Sequence, residues 1–265
     1  MVTSGSDSTP SAAPSHDLKL VLPGRRCLAG AGWTWIAQGW RLFTRAPLMW
    51  IIAIVIVLIL AVVVSLVPFV GSLAFQLLNP VFAAGFVVAC FSLERGGNFE
   101  LEHLFAGFKS RFAKLLIVGL LYILGWIAII MVFVAFAIVS IGTAALTGNM
   151  ENILPALLES SLTIALGSLV ALALAVPLVA AYWFAPALVI MHDLVPAKAM
   201  QESLFACLRN WIPFLVYGII MLGFAIVAII PFGLGFLVWV PLAVASTYAA
   251  YRDIFTEGML GAAEA

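Results

Sequence analysis

Of the three histidine–acid neighbours in the chain, only His192-Asp193 stands at the edge of a long apolar run. An imidazole next to a carboxylate can relay a proton or begin a metal site. A metal site needs further ligands, and the sequence places none nearby, so the plainer reading of the pair is a polar cap. His16 falls in a polar tail and His103 on a polar helix face. There is no Gly-rich phosphate loop, no His-Glu-x-x-His, no Cys pair at metal spacing and no nucleophile elbow. No enzymatic motif is present, and no cofactor is implied.

Three prolines and three acids recur instead. Pro80, Pro177 and Pro241 each sit inside an apolar run and are followed by small residues. Each removes a backbone donor and frees the carbonyl four residues earlier, at Gln76, Ala173 and Leu237. They are candidate helix hinges, with packing kinks as the alternative. Glu94, Asp193 and Asp253 end the same runs. With Arg45, Arg111 and Arg209 they form a candidate inner-mouth charge cluster or lipid-headgroup site; solvated orientation signals are the alternative. The deepest polar side chains are Gln76, Asn79, Ser168, Ser246 and Thr247, suited to a polar seam or to interhelical hydrogen bonds. No ionisable residue lies deep in a run, which weighs against proton- or voltage-coupled transport.

The elements that carry these residues are set by composition. Apolar residues are 65% of the 265 positions and charged residues 9%, with mean hydropathy +1.21. Soluble domains carry roughly 25% charge, so the solvent for most of this chain is lipid. Twelve basic against twelve acidic residues exclude a generally basic nucleic-acid binder.

Runs free of Asp, Glu, Lys and Arg cover 46–93, 115–150, 160–192 and 210–251. A crossing helix needs about 20 apolar residues. The first and last runs therefore hold two spans each, divided at Pro68/Gly71 and at Pro231–Gly235. Six spans are predicted near 48–67, 72–93, 115–141, 162–190, 212–230 and 233–251. With that count all twelve Lys and Arg fall on one side, and the opposite loops carry only Glu151 and Glu159. The positive-inside rule then puts both termini in the cytoplasm. Residues 1–30 read as a disordered cytoplasmic tail, 31–255 as the membrane domain and 256–265 as a short cytoplasmic tail. The tail lacks the basic n-region and long apolar core of a signal peptide. Cys27, Cys90 and Cys207 all fall near the cytoplasmic side, so reduced thiols are expected; palmitoylation of Cys27 beside Arg25 and Arg26 is the less ordinary alternative.

The segments before spans 1, 3 and 5 share an amphipathic design. Their stripes are Trp33/Ile36/Ala37/Trp40/Phe43, Leu101/Leu104/Phe105/Phe108/Phe112/Leu115 and Ala197/Met200/Leu204/Leu208/Trp211. Asn98 is the expected N-cap of the middle one, and each ends in Arg45, Arg111 with Lys114, or Arg209. Spans 2, 4 and 6 carry the prolines and small-residue pairs such as Gly85/Ala89 and Ala245/Ala249, and are expected to form an inner bundle, with bulkier odd spans outside. Three copies of one unit are suggested: interfacial helix, outer span, kinked inner span.

The stretch from Trp183 to Asp193 and the following Ala199–Trp211 resemble a family of uncharacterised six-span proteobacterial inner-membrane proteins. More distantly they are similar to the membrane domain fused to some glycerophosphodiester phosphodiesterases. Phe184, Pro186, Ser203 and Asn210 occupy the places of that group's Phe-x-Pro segment and Ser/Asn-bearing helix, and Gly39-Trp40 and Tyr251-Arg252-Asp253 fit it too. The resemblance implies a bacterial inner membrane and six spans; it brings no catalytic residue or cofactor.

The expectation is an all-α, six-span integral membrane bundle with three interfacial helices. It is read as a non-enzymatic protein that organises or senses lipid, anionic lipid included, or scaffolds a membrane-protein partner or a second copy. Small-solute or lipid transport through kinked spans 2, 4 and 6 is the alternative; a continuous polar cavity between those spans would favour it.

Overall fold

The computed structural model describes residues 18–68, 70–146 and 153–257, with the side chains of 140–146 and 153–160 left aside. The expected tails up to residue 17 and beyond 257, and Glu151 in the loop opposite the charges, lie outside the described residues. All named elements are helical. Long apolar helices form because the bilayer offers no partner to backbone N–H and C=O groups, so each segment must bond internally.

The order is α1 (Ala31–Arg45), α2 (Pro47–Ser65), α3 (Val70–Glu94), a 3-10 turn (Leu101–Phe105), α4 (Ala106–Lys109), α5 (Phe112–Leu146), α6 (Ile153–Trp183), α7 (Ala185–His192), α8 (Pro196–Arg209), α9 (Trp211–Ile229) and α10 (Phe236–Phe255). Among the described residues, five segments are long and apolar enough to cross a membrane: Pro47–Ser65, Val70–Glu94, Phe112–Val139, Ser161–His192 and Trp211–Ile229. The sixth expected span, α10, is long enough but less apolar. Its second half carries Ser246, Thr247, Tyr248, Tyr251, Arg252 and Asp253, and most of that half is buried among its neighbours.

Two of the three amphipathic segments are helices, α1 and α8. Their orientation differs from a simple apolar-side-in arrangement. Trp33 and Trp40 of α1, and Leu208 of α8 with the adjoining Trp211, are exposed. The small face of α8, Ala199/Ser203/Ala206, packs inward, as does Gly32/Trp35/Ile36/Gly39 of α1. In lipid, bulky side chains gain nothing by leaving the bilayer, whereas small ones let backbones approach. At Gly39 a Cβ would stand 2.6 Å from the Ser246 nitrogen, so only glycine permits that crossing.

The middle segment departs from the expected helix. It breaks at Ser110, which is extended, and at Arg111, whose φ is +58°. Its cap is Glu100, not Asn98: Glu100 and His103 form the reciprocal box. The 3-10 turn lies against Gly85, where a Cβ would come 2.4 Å from the Leu104 carbonyl oxygen. That backbone-to-backbone approach fixes the turn and leaves no room for a regular helix.

The inner-and-outer scheme also needs correction. Both α3 and α10 are central, but α6 is not. It packs on α5, α7 and α8, with Gly125 of α5 seating Leu178 and Gly167 of α6 seating Phe136. Along Ser161–Leu174 it is almost wholly exposed to the surrounding lipid. Only from Phe184 onward does the fourth span enter the core, where Phe184, Ala185, Leu188 and Val189 are fully buried. The discontinuity in this span falls at Phe184, between α6 and α7, and not at Pro177, which lies within continuous α6. Pro80 likewise lies inside α3 and Pro241 in the second turn of α10.

Candidate functional site

One end of the bundle gathers the charges. Glu94, last residue of α3, receives Arg252 Nη2 on Oε1 at 2.6 Å, Arg252 Nε on both oxygens, and the Tyr248 hydroxyl at 2.5 Å. Both partners of this ion pair are largely buried. Arg252 Nη1 also donates to the Thr256 hydroxyl. A buried pair with its remaining valences filled can persist away from water. Beside it, His192 Nε2 lies 2.5 Å from the Tyr251 hydroxyl.

The six charges expected at this mouth are brought to one face, but with different partners. Arg111 pairs with Asp193 at 2.6 Å and donates to the Ile190 carbonyl; Lys114 joins at 2.9 Å. Hydrogen bonds from Lys114 and Arg111 hold the Asp193 carboxyl below the usual carboxylate range. The positive φ of Arg111 aims its side chain there, and Asp193 itself is left-handed, φ +57°. Arg45 does not pair with Glu94; it donates to the Leu93 carbonyl at 2.5 Å. Among the described residues Arg209 meets no acid, and it donates to the carbonyls of Pro23 and Gly24. Asp253 accepts from the indole of fully buried Trp35 at 2.8 Å.

Residues 18–27 form a strap over the end of α10. Leu20 bridges Thr256, Val21 N–H donates to the Phe255 carbonyl, and Arg25 N–H to the Ile254 carbonyl. Arg25 clasps the carbonyls of Asp253 and Thr256. Asn210, almost fully buried, accepts from Cys27 N–H and donates to the Arg25 and Ala206 carbonyls. Ser203 does the same for the α6–α7 break, accepting from Phe184 N–H and donating to the Ala180 carbonyl. The resemblance singled out Phe184, Ser203 and Asn210 by motif, and their structural work is to secure these junctions.

Above the charged face lies a chamber of about 1360 Å³. Its walls come from α2, α3, Tyr182–Ala187, α9 and α10. It spans α10 from Phe236 to Tyr251, about 22 Å at 1.5 Å per residue. Phe184, Tyr248 and Tyr251 close the charged end. Among the described residues, none of α5 and none of α6 before Tyr182 lines it. With no described residue of either helix across it there, the side between α3 and α9 is left unwalled in the half away from the charges.

The lining has a gradient. Toward the charged face stand Tyr217, Thr247, Tyr248 and Tyr251, and near mid-depth Asn79 accepts the Tyr182 hydroxyl at 3.1 Å. Farther up, Ala61, Phe75, Leu222, Ala225 and Leu237 are wholly apolar. Among the described residues, no Asp, Glu, Lys, Arg or His lines the chamber. Ser246 bonds Tyr217 and the Leu242 carbonyl, a structural use; Ser168 bonds back to the Ile164 carbonyl on exposed α6. Asn79 and Thr247 thus belong to the chamber, and Ser168 does not. The tyrosines were missed by sequence reasoning; their clustering at the charged ends of α9 and α10 was the available signal. Among the described residues, no three His, Cys, Asp or Glu converge as a metal site.

Fold and site together define an all-α, multi-pass membrane bundle. The chain is 34% identical over 253 residues to a probable inner membrane protein of Burkholderia thailandensis, a match covering 86% of this chain and 92% of the relative. It belongs to that family of bacterial inner-membrane proteins. No protein-family profile matches the chain, and no solved structure does. None of these comparisons links it to a phosphodiesterase.

Proposed function

We propose that this protein is a non-enzymatic, lipid-binding protein of the inner membrane, organising or sensing lipid through its central chamber. The observation that carries this reading is the chamber itself: charge-free, long enough for a lipid chain and open sideways to the bilayer. Ligand sites are concave, mostly apolar pockets with a few placed polar groups, and this one adds direct access from lipid. Small-solute or lipid transport is the second reading. The side opening favours lipid over solute, and the closure at Phe184, Tyr248 and Tyr251 favours holding over passage.

The reading includes six crossings with both termini in the cytoplasm. Pairing of Leu20 with Thr256 supports it, since two chain ends on one face require an even number of crossings. The gathering of the described Lys and Arg on that face supports the orientation. A threefold repeat belongs to the same proposal. Arg45 clasps the Leu93 carbonyl at the end of α3, as Arg111 clasps that of Ile190 near the end of α7. In the third unit, Arg209 clasps the strap instead. On the outer surface, exposed Arg41 beside Trp40 suits anionic headgroups.

Gly218 gives the test. It lines the chamber, and a Cβ there would meet nothing within 4 Å. Gly223 has the same freedom but lies outside the lining. Gly218→Trp should strip co-purifying lipid in native mass spectrometry, while Gly223→Trp keeps it. Equal lipid retention in both variants would sink the chamber as the binding site.

A further inference from the structure

We infer that the chamber takes an uncharged, small-headed lipid: a long apolar chain ending in hydroxyl or carbonyl groups, with no phosphate. This inference rests on the lipid-binding reading and deepens it.

The first argument is electrostatic. Among the described residues the chamber offers a buried ligand head only neutral groups, the Asn79 amide and the Thr247 side chain foremost, because the hydroxyls of Tyr217, Tyr248 and Tyr251 are bonded to Ser246, Glu94 and His192. The nearest charges, Glu94 and Arg252, satisfy each other behind Tyr248. Burying a phosphate without a counter-charge is prohibitive, whereas a hydroxyl or carbonyl needs one or two hydrogen bonds. Three cations of the charged face are committed elsewhere: Arg45, Arg111 and Arg209 hold carbonyls or Asp193.

The second argument is the gradient. Polar lining groups occupy the half nearer the charged face and mid-depth, and the other half is apolar. An amphiphile therefore lies with its head inward, near Asn79 and Thr247, and its chain running toward the side opening between α3 and α9. The Tyr182 hydroxyl occupies Asn79 Oδ1, leaving the amide donors of Asn79 to serve a ligand oxygen. Such an orientation inverts that of a bilayer lipid in the leaflet away from the charges. A lipid whose head is small and neutral can make that inversion, because crossing the hydrocarbon exposes no charge.

The test compares two lipids that differ only in phosphate: dioleoylglycerol and dioleoylphosphatidic acid. Each is added at equal fraction to phosphatidylcholine vesicles carrying the full chain, and retained mass is read by native mass spectrometry. The wild type should retain dioleoylglycerol about tenfold over the phosphatidic acid, the direction set by the cost of an unpaired buried charge. Asn79→Leu should lower that retention, and Gly218→Trp should remove it, with Gly223→Trp as the folding control. Equal or greater retention of the phosphatidic acid would overturn the neutral-head inference while leaving a lipid-binding chamber. Retention of no lipid by the wild type would overturn the chamber reading itself.

Discussion

The charged face and the opposite half of this bundle are held together by different physics. At the charged face nearly every element ends in a specific polar clasp: Glu94 with Arg252, Asp193 with Arg111, Asn210 with the strap, Ser203 with the α6–α7 break. In the opposite half α5 and α6 leave the bundle as a pair, and the space beside them is a chamber. The first is rich in charged side chains, whereas no described charged residue lines the chamber of the second. Near water, polar groups can choose partners and apolar surface is driven inward. Within the bilayer there is no such drive, so helices stay apart unless small residues let them pack. A cavity that would collapse in a soluble protein can remain there, filled by lipid.

The sharpest way to break this contrast is at Glu94. Glu94→Ala leaves Arg252 buried without its partner and should destabilise the fold by about 3–5 kcal/mol. Thermal unfolding in detergent reads the loss. The double replacement Glu94→Leu with Arg252→Leu should recover much of it, because no orphan charge remains. If the single variant were neutral, the charged face would not be the rigid end.

The next effect belongs to the strap. Asn210→Ala removes three hydrogen bonds from a nearly buried side chain, at a cost of about 1–3 kcal/mol. Amide exchange should accelerate at Val21, Arg25 and Cys27 while the core of α3 stays protected. Uniform acceleration through α3 and α10 would instead make the strap part of one cooperative unit.

The smallest effect lies in the other half. Leu172 on α6 is 62% exposed, and Leu172→Ala should change stability by no more than about 0.5 kcal/mol, as at other unpacked positions. A loss above about 2 kcal/mol, the range of buried leucines, would mean that another surface covers α6, and the comparison would have to be redrawn.

Much of the architecture was legible because hydropathy is a local property. The apolar runs locate α2, α3, α5, α6 and α9 to within a few residues, apart from the longer far ends of α5 and α6, and the charged residues mark the face to which the helices return. Even the resemblance motif found Ser203 and Asn210, since buried polar residues of that kind need fixed partners. The misses share a cause. Pro177 was a candidate hinge, with a packing kink as the alternative, yet neighbouring α5 packs against that region and the chain yields at Phe184, where Ser203 supplies the bond the helix loses. The helix expected over 101–115 is disrupted because Gly85 draws the Leu104 backbone against α3.

Sequence by itself determined that this chain is helical, lives in lipid and keeps its charges at one end, because bilayer thickness and the cost of buried charge act on each segment separately. Only tertiary structure decided which arginine meets which acid, that α6 stands aside, and that a hydroxyl-lined chamber opens between α3 and α9. Those outcomes depend on distances between residues far apart in the chain, and in a membrane, where all apolar surfaces are nearly equivalent, nothing local in the sequence specifies them.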